Sequence, residues 1–116
     1  MDTLVDSSEK TVRWLSKIRV FCMNKLHNTT YKEGKYWASF KNLQTKRNFV
    51  YLHPTKNQIR IFTRLPDGSD QNLTSTPASQ NWADMYPTIF TLREEAAFKV
   101  ALDLVKKSYH YDLSIN

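Results

Sequence analysis

Three short runs of alternating residues inside Gly34–Pro66 constrain this chain more than any other feature. They are Tyr36–Lys41, Arg47–His53 and Gln58–Arg64. Side chains two apart on a strand share a face, so a period of two over six or seven residues reads as a half-buried strand. Only residues 42–46 and 54–57 separate the runs. Links that short join antiparallel neighbours, because a parallel crossover needs a dozen residues or more. Pro54 lacks an amide donor and Asn57 tolerates tight backbone geometry, so His53–Asn57 is expected to turn the chain. The stretch is predicted to be an antiparallel meander.

Alternation also assigns faces. Val50, Leu52, Ile59 and Ile61 are expected to point into a core. Arg47, Phe49, Tyr51, Arg60, Phe62 and Arg64 then share the opposite face, and Trp37 and Lys41 join them in the register that points Tyr36, Ala38 and Phe40 inward.

Charge singles out the same stretch. The chain carries 17 Lys and Arg against 11 Asp and Glu, a formal net charge of +6. Residues 34–66 hold seven of those bases (Lys35, Lys41, Lys46, Arg47, Lys56, Arg60, Arg64) and no acid. Residues 1–33 carry six bases against four acids, and residues 67–116 carry four against seven. A local excess describes a patch, not a uniformly solubilised surface.

The flanks supply helices. Asp6, Ser7 and Ser8 offer caps for a helix reaching about Leu26, with Val12, Leu15, Ile18, Cys22 and Leu26 at helical spacing. Trp14 and Phe21 widen that stripe. Asn28–Gly34 is expected to be a loop. Leu65–Pro87 reads as a long irregular connection pinned by Trp82, Met85 and Tyr86, and connections of that length are often functional. Thr88–Leu92 reads as a fourth strand. Thr91 and Glu94 form a capping-box pattern for a second helix from about Leu92 to Tyr109, with Glu94 and Glu95 at its positive end and Lys106 and Lys107 at its negative end. The expected fold is a single α+β domain over residues 1–116. An antiparallel sheet of about four strands lies between an N-terminal and a C-terminal helix, in the order α-β-β-β-β-α.

Several classes are disfavoured. The lone Cys22 permits no internal disulfide, fits a reducing compartment, and lies in an apolar helical pattern that suits a buried, inert thiol. There is no apolar run long enough to span a membrane, and the start MDTLVDSSEK lacks the layout of a secretory signal. The expected location is cytoplasmic. His27, His53 and His110 are far apart, and none has a neighbour at metal-ligand spacing. A metal-dependent nuclease holds its ion with acids on or beside central strands, which Gly34–Pro66 lacks. Asp67, Asp70 and Asp84 share the long loop, where an Asp-Gly-Ser-Asp run makes a turn more readily than a cation site. Two glycines, Gly34 and Gly68, do not make a phosphate loop. No catalytic site, metal or cofactor is expected.

Lys35-Tyr36-Trp37-Ala38-Ser39-Phe40-Lys41 is followed by Asn48-Phe49-Val50-Tyr51-Leu52 with His53-Pro54, and then by the Ile59–Leu65 strand. A polar loop, a hydrophobic strand and a helix ending in Lys107-Ser108-Tyr109 complete the run. In this pattern Lys35–Tyr109 resembles a small domain family of unassigned function, found alone or as a C-terminal appendage on predicted DNA-restriction and nuclease-like proteins. The chain departs from the pattern at Asn81-Trp82-Ala83, where the family carries small, glycine-rich residues. The resemblance implies an accessory module near DNA and no particular reaction.

The outward residues carry the functional expectation. Aromatics on a sheet face stack bases while Arg and Lys neutralise phosphates. The candidate binding set is Trp37, Lys41, Lys46, Arg47, Phe49, Tyr51, Arg60, Phe62 and Arg64, with DNA favoured over RNA as partner and no membrane. Aromatics and Arg also mark protein-interface hot spots, so a protein partner or a homodimer on the same surface is the alternative. If one helix covered each face, these aromatics would instead be core.

Overall fold

The computed structural model describes residues 4–79 and 82–115. Its elements are α1 (Glu9–Lys25), β1 (Thr29–Glu33), β2 (Ala38–Asn42), β3 (Arg47–Pro54), β4 (Ile59–Thr63), β5 (Thr74–Ser75), β6 (Thr88–Leu92) and α2 (Phe98–Ser114), with one 3-10 turn at Glu95–Ala97. The strands form one antiparallel sheet of six in the order β1-β2-β3-β4-β6-β5. The α+β class, the antiparallel sheet and the terminal helices are as expected; the strand count is not.

Two strands were hidden in stretches read as loops. β1 covers Thr29–Glu33 and pairs with β2 from Thr29 opposite Asn42 to Glu33 opposite Ala38. Its Thr-Thr-Tyr run is β-prone, but β1 is a sheet edge with one face over α1, so it has no clean alternation. β5 has two residues, too few to carry any period.

Helix α1 begins where a cap permits. Ser8 Oγ accepts from the Thr11 amide, and Thr11 Oγ1 accepts from the Ser8 amide at 2.9 Å, a reciprocal capping box. The apolar stripe of Trp14, Leu15, Ile18 and Cys22 is buried. Burial pushes the Cys22 thiol up to about 12, so it stays protonated and unreactive at neutral pH.

Helix α2 starts later than its sequence pattern indicates, and the Thr91–Glu94 capping box does not form. Leu92 is fully buried in β6, paired opposite Ile59, and Glu94 keeps an extended backbone with no capping bond. Sheet pairing takes the backbone groups that a helix start at Leu92 would need. The neighbouring Glu95 accepts a 2.9 Å hydrogen bond from Trp14 Nε1 on α1. Because α2 runs on to Ser114, Lys106 and Lys107 lie mid-helix, away from its negative end.

Both helices lie on one face of the sheet. Trp14, Ile18 and Cys22 of α1 and Ala101, Val105 and Tyr109 of α2 share one buried cluster with Ala38, Phe40, Val50, Leu52, Ile59 and Ile61. Tyr109 Oη donates to the His27 carbonyl at 2.6 Å, tying α2 to the chain leaving α1. Leu65 and Leu73 form a smaller cluster with Leu104 and anchor the long connection to α2. Among the described residues, no helix is long and apolar enough to cross a membrane.

Candidate nucleic-acid interface

The helix-free face is set by register. Ser39, Tyr51, Phe62 and Ile89 lie opposite one another across β2, β3, β4 and β6, and His53, Arg60 and Thr91 form the next row. Lys32 pairs with Ser39 and Lys41 with Asn48, so both lysines point the same way. Among the described residues Glu33 is the only acid on any strand, and it pairs opposite Ala38, whose side chain is in the helix-covered core. There the Tyr31 hydroxyl donates to the Glu33 carboxylate. The strands therefore place no carboxylate on the open face.

Tyr51 is the hub of an aromatic cluster. Its ring centroid lies 5.5 Å from Trp37, 5.6 Å from Phe62, 5.7 Å from Trp82 and 5.8 Å from Tyr86. Trp82 meets Phe62 edge-on, with 5.7 Å between centroids. Separations of this kind fall in the favourable window for aromatic pairs. Trp37 holds its position through Gly34, whose amide donates to the Trp37 carbonyl at 2.7 Å. A Cβ on Gly34 would come within 2.9 Å of the Trp37 ring, so only glycine fits beneath that indole. Trp82 and Tyr86 arrive from the long connection. Thr76 Oγ1 donates to the Tyr86 carbonyl and the Thr76 amide to Pro87, folding that segment onto the strands.

Trp37, Tyr51, Phe62 and Trp82 surround a cavity of about 310 Å³, completed by Tyr36, His53 and Arg60. Arg60 is exposed, and Tyr36 keeps 44% of its surface in solvent. Burial and then the nearby Arg60 charge lower the His53 imidazole below its usual value, with Asp6 opposing them. The imidazole is therefore neutral at pH 7. Burial likewise raises the Tyr51 hydroxyl.

Several expected site residues lie elsewhere. Trp37, Lys41, Tyr51, Arg60 and Phe62 are on the open face, although Phe62 is almost completely covered by its aromatic neighbours. Phe49 is not. It is fully buried, edge-on to Tyr109 at 5.3 Å and 6.4 Å from Phe40. The cause is a β-bulge: Phe40 pairs with Val50 and Lys41 with Asn48, leaving Phe49 as the extra residue on β3. A bulge breaks the alternation, so Phe49 and Val50 both enter the core and every side chain before them changes sides.

Arg47 changes sides for that reason. Its Nε donates to Asp112 Oδ1 at 2.7 Å, and its Nη2 donates to the carbonyls of Asp112 and Ile115. Arg64 is also structural, with its side chain 14% exposed. Its Nε donates to the Asn48 carbonyl at 2.6 Å and lies 3.8 Å from Asp112 Oδ1, with the guanidinium carbon over Tyr86 at 5.6 Å. Asp112 has no solvent exposure and also accepts from Thr45 Oγ1. The two arginines close the sheet against the end of α2. Lys46 is exposed in the β2–β3 turn, held at φ 62°.

Lys32, His53, Tyr36, Trp82 and Tyr86 join the open face without having been counted in the expected set. His53, expected to end the Arg47–His53 strand and open the turn, is a β3 residue opposite Arg60. The alternation of Tyr51 with His53 could have placed it. Trp82 and Tyr86 had no periodicity to place them, and Asn81 lies outside the described residues. Asp70 accepts from the Asn72 amide at 2.9 Å and from Lys107 Nζ at 3.0 Å, so it serves a turn and an ion pair. Among the described residues, no three His, Cys, Asp or Glu side chains converge as metal ligands. Comparison with family models, curated proteins and solved structures gives no match.

Proposed function

We propose that this chain is a non-catalytic nucleic-acid-binding module whose contact surface is the helix-free sheet face. The observation that carries the reading is charge segregation by register. Lys32, Lys41 and Arg60 project from that face around an aromatic cluster, while the only strand carboxylate among the described residues, Glu33, lies on the helix side. Cations track phosphates, and aromatic rings accept base faces of any sequence. The resemblance to modules appended to predicted DNA-restriction proteins favours DNA and a role accessory to restriction or defence. The burial of Cys22 fits a thiol that remains reduced in the cytoplasm.

Salt titration tests the reading. Each phosphate contact releases counterions, so oligonucleotide affinity is expected to fall steeply between about 50 and 200 mM salt. Arg60→Ala and Lys41→Ala are each expected to weaken binding and to flatten the slope by about one unit. Arg47→Ala, by contrast, should change stability before it changes the salt slope. Undetectable binding to single- and double-stranded DNA and RNA at low salt would end the proposal. Salt-insensitive capture of a protein partner or a second copy on this face would replace it with the interface reading.

A further inference from the structure

The open face does not end in a flat sheet: the cavity among its rings has the dimensions of a ligand site. At about 310 Å³ it sits at the lower end of small-molecule pockets, which run from about 300 to 1,000 Å³. Tyr51 lies at its centre, with Trp37 and Trp82 each within 5.7 Å of that ring and Phe62 perpendicular to Trp82. Trp82 carries an indole N–H that is buried without an acceptor among the described residues. Such a donor is costly to leave unpaired.

The charge at the rim limits what enters. Aromatic cages that take quaternary ammonium groups work by attracting cations to ring faces. Here Arg60 lines the same cavity beside a neutral His53, and among the described residues no carboxylate does, which disfavours a cationic guest. A planar, uncharged ring attached to a phosphate satisfies both the walls and the rim. A base inside a perfect duplex is stacked on both faces and cannot enter a concave pocket, whereas an unpaired one presents its full face.

We propose that this cavity, between Tyr51, Trp37, Trp82 and Arg60, receives one unpaired nucleobase, with Arg60 taking the adjoining phosphate. The inference rests on the nucleic-acid reading above and adds to it a preference for bulged or single-stranded sites over intact duplex. Gly34 is part of the device, because it leaves room for the Trp37 ring to form one wall.

The test uses the intact chain and three labelled DNA hairpins at low salt, followed by fluorescence anisotropy. One stem is perfectly paired, one carries a single bulged thymidine, and one carries an abasic residue at the bulge. The bulged stem is expected to bind about tenfold more tightly than the paired stem, with the abasic bulge losing that gain. Quenching of tryptophan emission should accompany only the bulged thymidine. Trp37→Ala is expected to remove the preference, so that this variant binds its bulged and paired stems with equal affinity. Equal affinity for all three hairpins would overturn the base pocket and leave the phosphate-binding face standing. Absence of binding to any of them would overturn both.

Discussion

Arg47 and Arg60 are both strand cations, and their surroundings give them opposite roles. Arg60 is exposed on the open face, free to meet a phosphate. Arg47 is committed to Asp112, whose carboxylate is out of contact with solvent. Removing one partner of such a pair leaves a buried charge uncompensated. Arg47→Ala is therefore expected to cost about 3 kcal/mol in urea denaturation, whereas Arg60→Ala should shift stability by less than about 0.5 kcal/mol. His53 adds a pH dependence with a defined sign. Its lowered native value means that above about pH 6.5 both folded and unfolded chains carry the neutral ring. As pH falls below that, the unfolded chain takes up a proton that the native state resists, and stability drops until the native value is passed. The urea midpoint of His53→Gln should fall less than that of the parent between pH 7.5 and 5.5.

At the scale of the element, the β2–β3 hairpin decides which residues reach the open face. Its turn is held by the Lys46 amide donating to the Asn42 carbonyl at 2.7 Å and by Asn42 Oδ1 accepting from the Gln44 amide. Lys46 sits there in the left-handed region, which costs a residue with a Cβ and costs glycine nothing sterically. Lys46→Gly is expected to stabilise the protein by about 0.5–1 kcal/mol in thermal or urea unfolding, with no change at the aromatic cluster. The bulge at Phe49 follows within the same hairpin. Ser108 of α2 donates to the Phe49 carbonyl and accepts from the Arg64 amide at 3.0 Å, so the helix holds the irregular strand and the end of its neighbour together. Alternation in the sequence placed Tyr51, Arg60 and Phe62 correctly because they lie beyond the bulge. It misplaced Arg47 and Phe49 because one extra residue shifts the parity of everything before it.

At the scale of the molecule, the arrangement of layers creates the open face. Two helices on one side of a six-stranded sheet leave the other side to be covered by side chains and one connection. Trp82 and Tyr86 supply that cover, and Leu73 pins their segment to Leu104. The aromatic cluster and the helical core share the same strands, so they are expected to unfold together. Tryptophan emission, which reports Trp37 and Trp82 as well as Trp14, should give the same urea midpoint as helical circular dichroism. Leu73→Ala is expected to cost about 2 kcal/mol and to raise amide exchange in the 66–79 segment before it does so in β3.

Residue order alone determined the α+β class, the central antiparallel strands, the first helix with its cap among Asp6, Ser7 and Ser8, and the excess of positive charge in one stretch. Each is a local property, written in periods of 2 and 3.6 and in the chemistry of a few capping and turn residues. Tertiary structure decided the remainder. Leu92 became strand because β4 offered it a partner, overriding a capping box that was sound in isolation. Arg64 and Arg47 became structural because Asp112, far along the chain, folded back to meet them. Trp82 reached Tyr51 across a connection with no periodicity of its own. Contacts between residues distant in sequence leave no period behind, so the strand face could be read in advance and its aromatic cavity could not.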